Sequence, residues 1–356
     1  MLTFLAFIFV LGVLIFFHEL GHFIVAKRIG IRVEKFSLGF PPNILSKKVG
    51  DTTYCIGLIP LGGYVKMAGE NPDEEATGAP NEFMSKPISH RAAVLFAGPF
   101  MNYLLAILLM TGIYLFAGIP YFDPDRIIIG EVTQDSPAAR AGLLPEDQVV
   151  AVNGRAVTAF DSMRVIINRV VEAPVDLTLV RGADTLSTSI VTRKAEVLSP
   201  EGNVDTVGEI GISEKVSGYR KYGPIEAVTN GFTTTHVIVW ETLKFIKQLF
   251  LGEVSTKMIG GPLFIAQQSG KEARRGPARL FFFMALLSVN LAVLNIQPII
   301  PVLDGGQLLF LLIEKIRGVP LSMKARIAVQ YVGILAVLSL TLFVTYNDIM
   351  RLLGRL

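Results

Sequence analysis

The chain holds one cysteine, Cys55, and only four histidines in 356 residues. A single cysteine excludes an intrachain disulfide, a thiolate metal site and a zinc finger. Charge is scarce too, at 18% of residues against about 25% in an ordinary soluble domain. Basic and acidic side chains nearly balance, with a net charge of +3, and no basic stripe is interleaved with aromatics, so nucleic acid is not an expected partner. Half of the chain, 51%, is hydrophobic and the mean hydropathy is +0.52. These values describe a membrane protein, partnered by the lipid bilayer, with room for a soluble module.

Four runs are long and apolar enough to span, at roughly 20 residues each. They are about Leu2–Ala26, Ala92–Gly118, Leu280–Pro298 and Ile327–Tyr346. The first has no basic region before it and no small-residue cleavage site after it, so it is expected to stay as an uncleaved span. Lys27, Arg28, Arg32 and Lys35 follow the first span, Lys86 and Arg91 precede the second, and Lys315, Arg317, Lys324 and Arg326 lie between the last two. These ten fall on one side, which the positive-inside rule makes cytoplasmic. Lys271, Arg274, Arg275 and Arg279 run against the rule. Ile225–Leu251 mixes apolar residues with Glu226, Glu241, Lys244 and Lys247, a pattern suited to an interfacial helix, or to one packed on a soluble domain.

The expected fold is a polytopic α-helical membrane protein with a membrane-associated β-hairpin and an inserted α+β module. Residues 1–122 form the first membrane part. Within it, Thr52–Ile56 and Tyr64–Met67 read as strands around a turn at Pro60–Gly63, and Asn71–Asn81 reads as a polar loop. Residues 123–196 read as the module, with strands at Ile127–Ile129, Val149–Val152, Val175–Val180 and Leu186–Val191. Ser136-Pro137 opens one helix and Phe160–Val171 forms another. Residues 197–275 are read as a linker, near Pro200–Val207, and the amphipathic region. Residues 276–356 are the second membrane part.

Chemistry concentrates in His18-Glu19-Leu20-Gly21-His22, inside the first span. Polar groups at that depth are costly and call for a reason. On a helix, residues four apart share a face, so His18 and His22 can address one ion. Glu19, about 100° round, suits a water on that ion rather than the ion itself. HExxH is the zinc-hydrolase pattern: zinc acidifies a water and the glutamate takes its proton. A catalytic zinc needs a third protein ligand. His90 lies in a loop beside Arg91 and His236 on the amphipathic stretch, and both read as polar-surface residues. Asp304 ends an apolar span after helix-breaking prolines and before Gly305-Gly306; it either ligates or simply terminates the span.

HExxH in the first span, Gly98-Pro99-Phe100-Met101-Asn102 in the second and Leu303-Asp304-Gly305-Gly306 after the third together resemble the site-2 protease family of intramembrane zinc metalloproteases. The module resembles a PDZ domain, inserted as in that family's bacterial regulator-of-sigma-E protease group. The resemblance implies that His18, His22 and Asp304 hold Zn2+ and that Glu19 is the catalytic base. It implies that Asn295 contacts substrate and that Gly62, Gly63 and Tyr64 belong to a hairpin pairing with extended substrate. Gly98, Pro99 and Asn102 would serve packing and site geometry. It further implies cleavage of single-pass membrane proteins, anti-sigma-factor-like and already cut once by another protease. The setting would be a bacterial inner membrane, with the PDZ-like module outside and its groove open to a peptide or carboxyl terminus. Two departures stand out. Asn295 and Asp304 are nine positions apart where the family has eight, and Gln307 stands where a histidine commonly follows DGG. An impaired relative that binds membrane segments, or an ion-binding transporter, are the rival readings; the spans show none of the internal repeats a transporter carries.

Overall fold

The computed structural model describes residues 1–70, 77–198, 204–254, 256 and 259–353. Much of the expected loop at Asn71–Asn81 and of the expected linker at Pro200–Val207 lies outside these residues. The chain divides into two compact units, one of residues 1–114, 223–244 and 256–356 and the other of residues 115–222 and 245–255.

The first unit begins with α1, Leu2–Arg28, followed by β1, Val33–Val49, and β2, Thr52–Met67. α2 covers Ile88–Gly112 and continues as a π-helical turn, Ile113–Ala117, with Pro99 inside the helix. Among the described residues, four helices are long and apolar enough to cross a membrane: Leu2–Arg28, Ile88–Ala117, Pro277–Ile296 and Lys324–Leu352. Each contains the corresponding expected span or nearly all of it.

The hairpin departs from expectation. Its reversal is at Gly50-Asp51, where Gly50 adopts φ +59°, and Pro60–Gly63 runs as strand within β2. Phe36 pairs with Val65 on one side and Tyr54 on the other, so both halves of β2 embrace β1. Pro and Gly at 60–63 read as a turn because both punctuate chains. Here the glycines serve close packing instead: a Cβ at Gly62 would strike the Phe40 ring.

The second unit carries β3 (Ile119–Tyr121), β4 (Ile127–Val132), α3 (Pro137–Arg140), β5 (Gln148–Val152), β6 (Arg155–Ala156) and α4 (Phe160–Asn168). It continues through β7 (Pro174–Arg181), β8 (Asp184–Val191), β9 (Arg193–Leu198), β10 (Val204–Glu209), β11 (Ile212–Glu214) and β12 (Gly218–Arg220). Its main sheet runs β11-β4-β5-β7-β8, with β6 on β5. Ser136 caps α3 by accepting from the Ala139 N–H, as the Ser-Pro signal indicates. The module is larger than 123–196. Ile210 is buried in its core beside Ile129, Met163 and Leu177, and Ile212 packs against that core. The stretch read as linker therefore returns to the sheet: β9 and β10 form a hairpin and β11 adds an edge strand beside β4.

The chain re-enters the first unit along α5, Pro224–Leu251, which crosses the division between units. Then follow α6 (Pro262–Arg275), α7 (Pro277–Ile296), α8 (Asp304–Arg317) and α9 (Met323–Leu352). α5 buries small and polar residues and leaves large apolar and charged ones exposed. Thr234 hydrogen-bonds Tyr114 of α2 and Thr242 bonds Asn290 of α7, while Ile225, Phe232 and Trp240 are exposed.

In the second unit the buried Asp147 carboxylate takes two bonds from Arg181, both at 2.7 Å, and one from the Leu144 N–H. The Arg181 side chain holds the Asp147 pKa below the usual carboxylate range. The unfolded chain thus binds this proton more readily, so the stabilisation is present above the ordinary aspartate pKa and lost as pH falls through the depressed one. Asp147→Asn is expected to destabilise the module by about 1–3 kcal/mol at neutral pH and by less in acid. Hydrogen exchange of β5 and β7 amides in the full chain measures this.

Candidate metal centre

α1 and α2 meet where both have dispensed with side chains. A Cβ at Gly21 would strike the Ala97 carbonyl, and one at Gly98 would strike His22 Nε2 and come within 2.9 Å of His18 Cε1. Small residues let helix backbones approach in a membrane, and here they make room for two imidazoles. The rings stand edge to face, with centroids 4.9 Å apart.

His22 Nδ1 lies 2.8 Å from the Val94 carbonyl oxygen. A carbonyl only accepts, so Nδ1 carries a proton, and in the neutral ring Nε2 keeps its lone pair. That lone pair faces His18 Nε2 at 3.2 Å. The third group comes from α8. Asp304 Oδ2 is 3.2 Å from His18 Nε2, and Oδ1 is 3.5 Å from His22 Nε2. Among the described residues these three form the one cluster able to hold a metal ion.

The donors fit zinc. Ligands on a tetrahedral zinc, at about 2.0–2.2 Å from the ion, stand about 3.4 Å from one another. The observed separations, 3.2 to 3.5 Å, bracket that value. Asp304 Oδ2 is buried and accepts no hydrogen bond. A buried carboxylate oxygen facing lone pairs is costly unless a cation lies between them. Two imidazoles and a carboxylate also form a donor set of the catalytic type, with a fourth position left for water.

Asn102, fully buried in α2, approaches His18 Nδ1 at 3.3 Å with its side-chain amide. The amide nitrogen Nδ2 is the atom at that distance, and Oδ1 is buried with no hydrogen-bond partner. The Asn102 backbone oxygen accepts from Ser288 of α7 at 2.7 Å, fixing this turn of α2 against its neighbour.

The extra residue between Asn295 and Asp304 falls in non-helical chain. α7 ends at Ile296, and the segment turns before α8 starts at Asp304. Gly305 and Gly306 let α8 start tightly against that segment: added Cβ atoms would strike the Ile296–Gln297 backbone and the Ile300–Pro301 backbone. Gln307 Nε2 donates to the Pro301 carbonyl at 3.1 Å, bracing the same loop. Asp304 thus reaches the histidines despite the altered spacing. Asn295 lies half-buried in the last turn of α7, outside the three-donor cluster.

Glu19 is half-buried beside β2, where a Cβ at Gly63 would come within 3.2 Å of its Cγ. Gly62 and Tyr64 pack on Phe40 instead, the Tyr64 and Phe40 rings being stacked with centroids 6.3 Å apart. Pro99 is buried next to Gly98. His90 and His236 stand apart from the cluster; His236 stacks on Phe232. The Val94 carbonyl was beyond sequence reasoning, since a backbone acceptor leaves no residue-type signal.

Gly98→Val is expected to push a branched side chain into both imidazoles and abolish zinc retention. Asn102→Ala is expected to weaken zinc binding by about 10- to 100-fold, the usual effect of losing a group that orients a ligand. Metal content after dialysis against a graded chelator measures both.

The profile of Peptidase family M50 matches residues 6–340. A Rhizobium meliloti protein, named provisionally as a zinc metalloprotease, is 36% identical over 365 residues, covering 98% of this chain and 96% of that one. The regulator of sigma-W protease RasP of Bacillus subtilis is 30% identical over 428 residues, covering 98% and 99%. Among solved structures, the PDZ domain of an SdrC-like protein from Listeria monocytogenes is 18% identical and covers 27% of this chain and 93% of its own, with a TM-score of 0.21. With the family profile spanning nearly all of its length, the chain belongs to peptidase family M50, the site-2 protease family.

Proposed function

We propose that this chain is an intramembrane zinc endopeptidase in which His18, His22 and Asp304 hold the ion and Glu19 is the general base. The carrying observation is the convergence of three donor atoms 3.2 to 3.5 Å apart from α1, itself apolar enough to span, and α8. Zinc, when bound, supplies the Lewis acidity that makes a water nucleophilic near neutral pH.

The protein residues do the rest. The Val94 carbonyl keeps a His22 proton on Nδ1, and the Asn102 amide packs against His18 Nδ1. Glu19 takes the proton of the attacking water and passes it to the amide nitrogen as the C–N bond breaks. A helical backbone hides its scissile bond, so substrate must be extended. Gly63, with no side chain, keeps β2 close to Glu19, and an extended segment pairing beside it would present its carbonyl to the centre. Asn295, at the end of α7, would bond that carbonyl.

Substrates would be single-pass membrane proteins. By analogy with the relative named as regulator of sigma-W protease, the substrate would be anti-sigma-factor-like, and a first cut by another protease belongs to the same proposal. The basic residues flanking the spans support a bacterial inner membrane with the PDZ-like module outside, open to a peptide or carboxyl terminus.

Glu19→Gln is expected to lower cleavage of a model single-pass substrate by about 10²- to 10⁴-fold while zinc content stays at the wild-type level. Undiminished cleavage would exclude Glu19 as the base. Asp304→Asn is expected to lose zinc on dialysis; full retention would point to a different third ligand.

A further inference from the structure

At the end of the bundle where α1 finishes, a cavity of about 280 Å³ reaches from Asp304 to Arg91, Glu314 and Arg326. Arg91 and Glu314 form a two-pronged ion pair there. Nη1 donates to Oε2 at 3.0 Å and Nη2 to Oε1 at 2.5 Å. The side chains are only 5% and 14% exposed. The pair joins the first turn of α2 to the last turns of α8, 223 residues apart in sequence.

Its connections continue in both directions. Arg91 Nε donates to the Lys86 carbonyl at 3.0 Å, and Lys86 Nζ donates to the carbonyl of Ile29, the residue that caps α1, also at 3.0 Å. Arg91 lies one turn before Val94, whose carbonyl holds His22. Glu314 lies on the helix whose first residue is Asp304. One polar chain therefore ties together the three helices that carry or orient the metal donors.

Energetics argue that this pair does something other than add stability. Desolvating two charges offsets most of their attraction, and apolar residues of equal volume commonly replace such pairs without loss. What a two-pronged pair supplies is geometry, because both prongs form together only over a narrow range of placements of the two groups. α8 needs such a constraint. It begins after an irregular segment between Ile296 and Asp304 that fixes no helical register. A rigid helix gripped about 15 Å from Asp304 cannot slide or rotate without moving that carboxylate.

We propose that Arg91 and Glu314 are positioning residues: their pairing sets the axial register of α8 and so delivers Asp304 to the His18–His22 pair. This rests on the reading of Asp304 as the third ligand. The test uses the full chain in detergent, with zinc affinity by competition and the visible spectrum of the cobalt-substituted protein. Arg91→Ala strands a buried carboxylate and risks misfolding, so the main variant is Arg91→Met with Glu314→Leu, which keeps the volume. It is expected to unfold, metal-free, at the wild-type temperature or higher. Its zinc affinity should fall by about tenfold or more, comparable to loss of a group that orients a ligand, with a changed cobalt spectrum. The exchanged pair, Arg91→Glu with Glu314→Arg, should recover part of that affinity. Wild-type zinc affinity and an unchanged cobalt spectrum in the Met/Leu variant would overturn the proposal and leave the pair a packing feature. Asp304→Asn, run alongside, separates the two failures: if it too keeps zinc, the ligand assignment falls, and the positioning role with it.

Discussion

Everything at the centre depends on how closely α1 and α2 approach. Gly21 accepts the Ala97 carbonyl against its bare Cα, and Gly98 accepts the imidazole of His22. That approach brings the Val94 carbonyl within 2.8 Å of His22 Nδ1 and the Asn102 amide within 3.3 Å of His18 Nδ1. Two helices farther apart would leave both rings free to turn, and their protons free to sit on either nitrogen. Both imidazoles are instead held in place by neighbouring polar groups. Preorganisation of this kind matters most in a low-dielectric site, where an unsatisfied polar group is costly and a misdirected one cannot be rescued by solvent.

The third donor obeys a different logic. Asp304 is the first residue of a helix, at its positive end, where a carboxylate is favoured. It arrives through irregular chain whose prolines cannot continue α7 and whose glycines let two backbones touch. Such a segment tolerates a change in length, and Asp304, nine positions after Asn295, still lies beside both histidines. The same tolerance leaves the direction of α8 to be set elsewhere, by the packing of Phe310 and Leu311 and by the Arg91–Glu314 pair at its other end.

Much of this was legible in the sequence. Hydropathy located the four apolar helices found among the described residues, because a helix facing lipid must be apolar on nearly every side. HExxH located two donors, because a four-residue step on a helix is a fixed geometry. The hairpin was misread because glycine and proline carry two meanings, reversal and close approach, and Gly62 serves the second. The module was drawn too short because Ile210 and Ile212 enter its core from beyond a polar stretch, and edge strands of a few residues leave little periodicity. Asn295 was assigned through resemblance alone, and it lies outside the three-donor cluster.

The sequence by itself determined that this is a membrane protein, where its apolar helices lie and that two histidines and a glutamate share one of them. Those are local properties of composition and helical spacing. Only the tertiary structure decided that Asp304 joins the two histidines, that a backbone carbonyl orients the His22 imidazole and a buried amide packs on that of His18, and that a salt bridge spanning most of the chain grips α8. These are distances between segments far apart in sequence. No residue pattern encodes them, because they follow from how closely helix surfaces pack once a few side chains are missing.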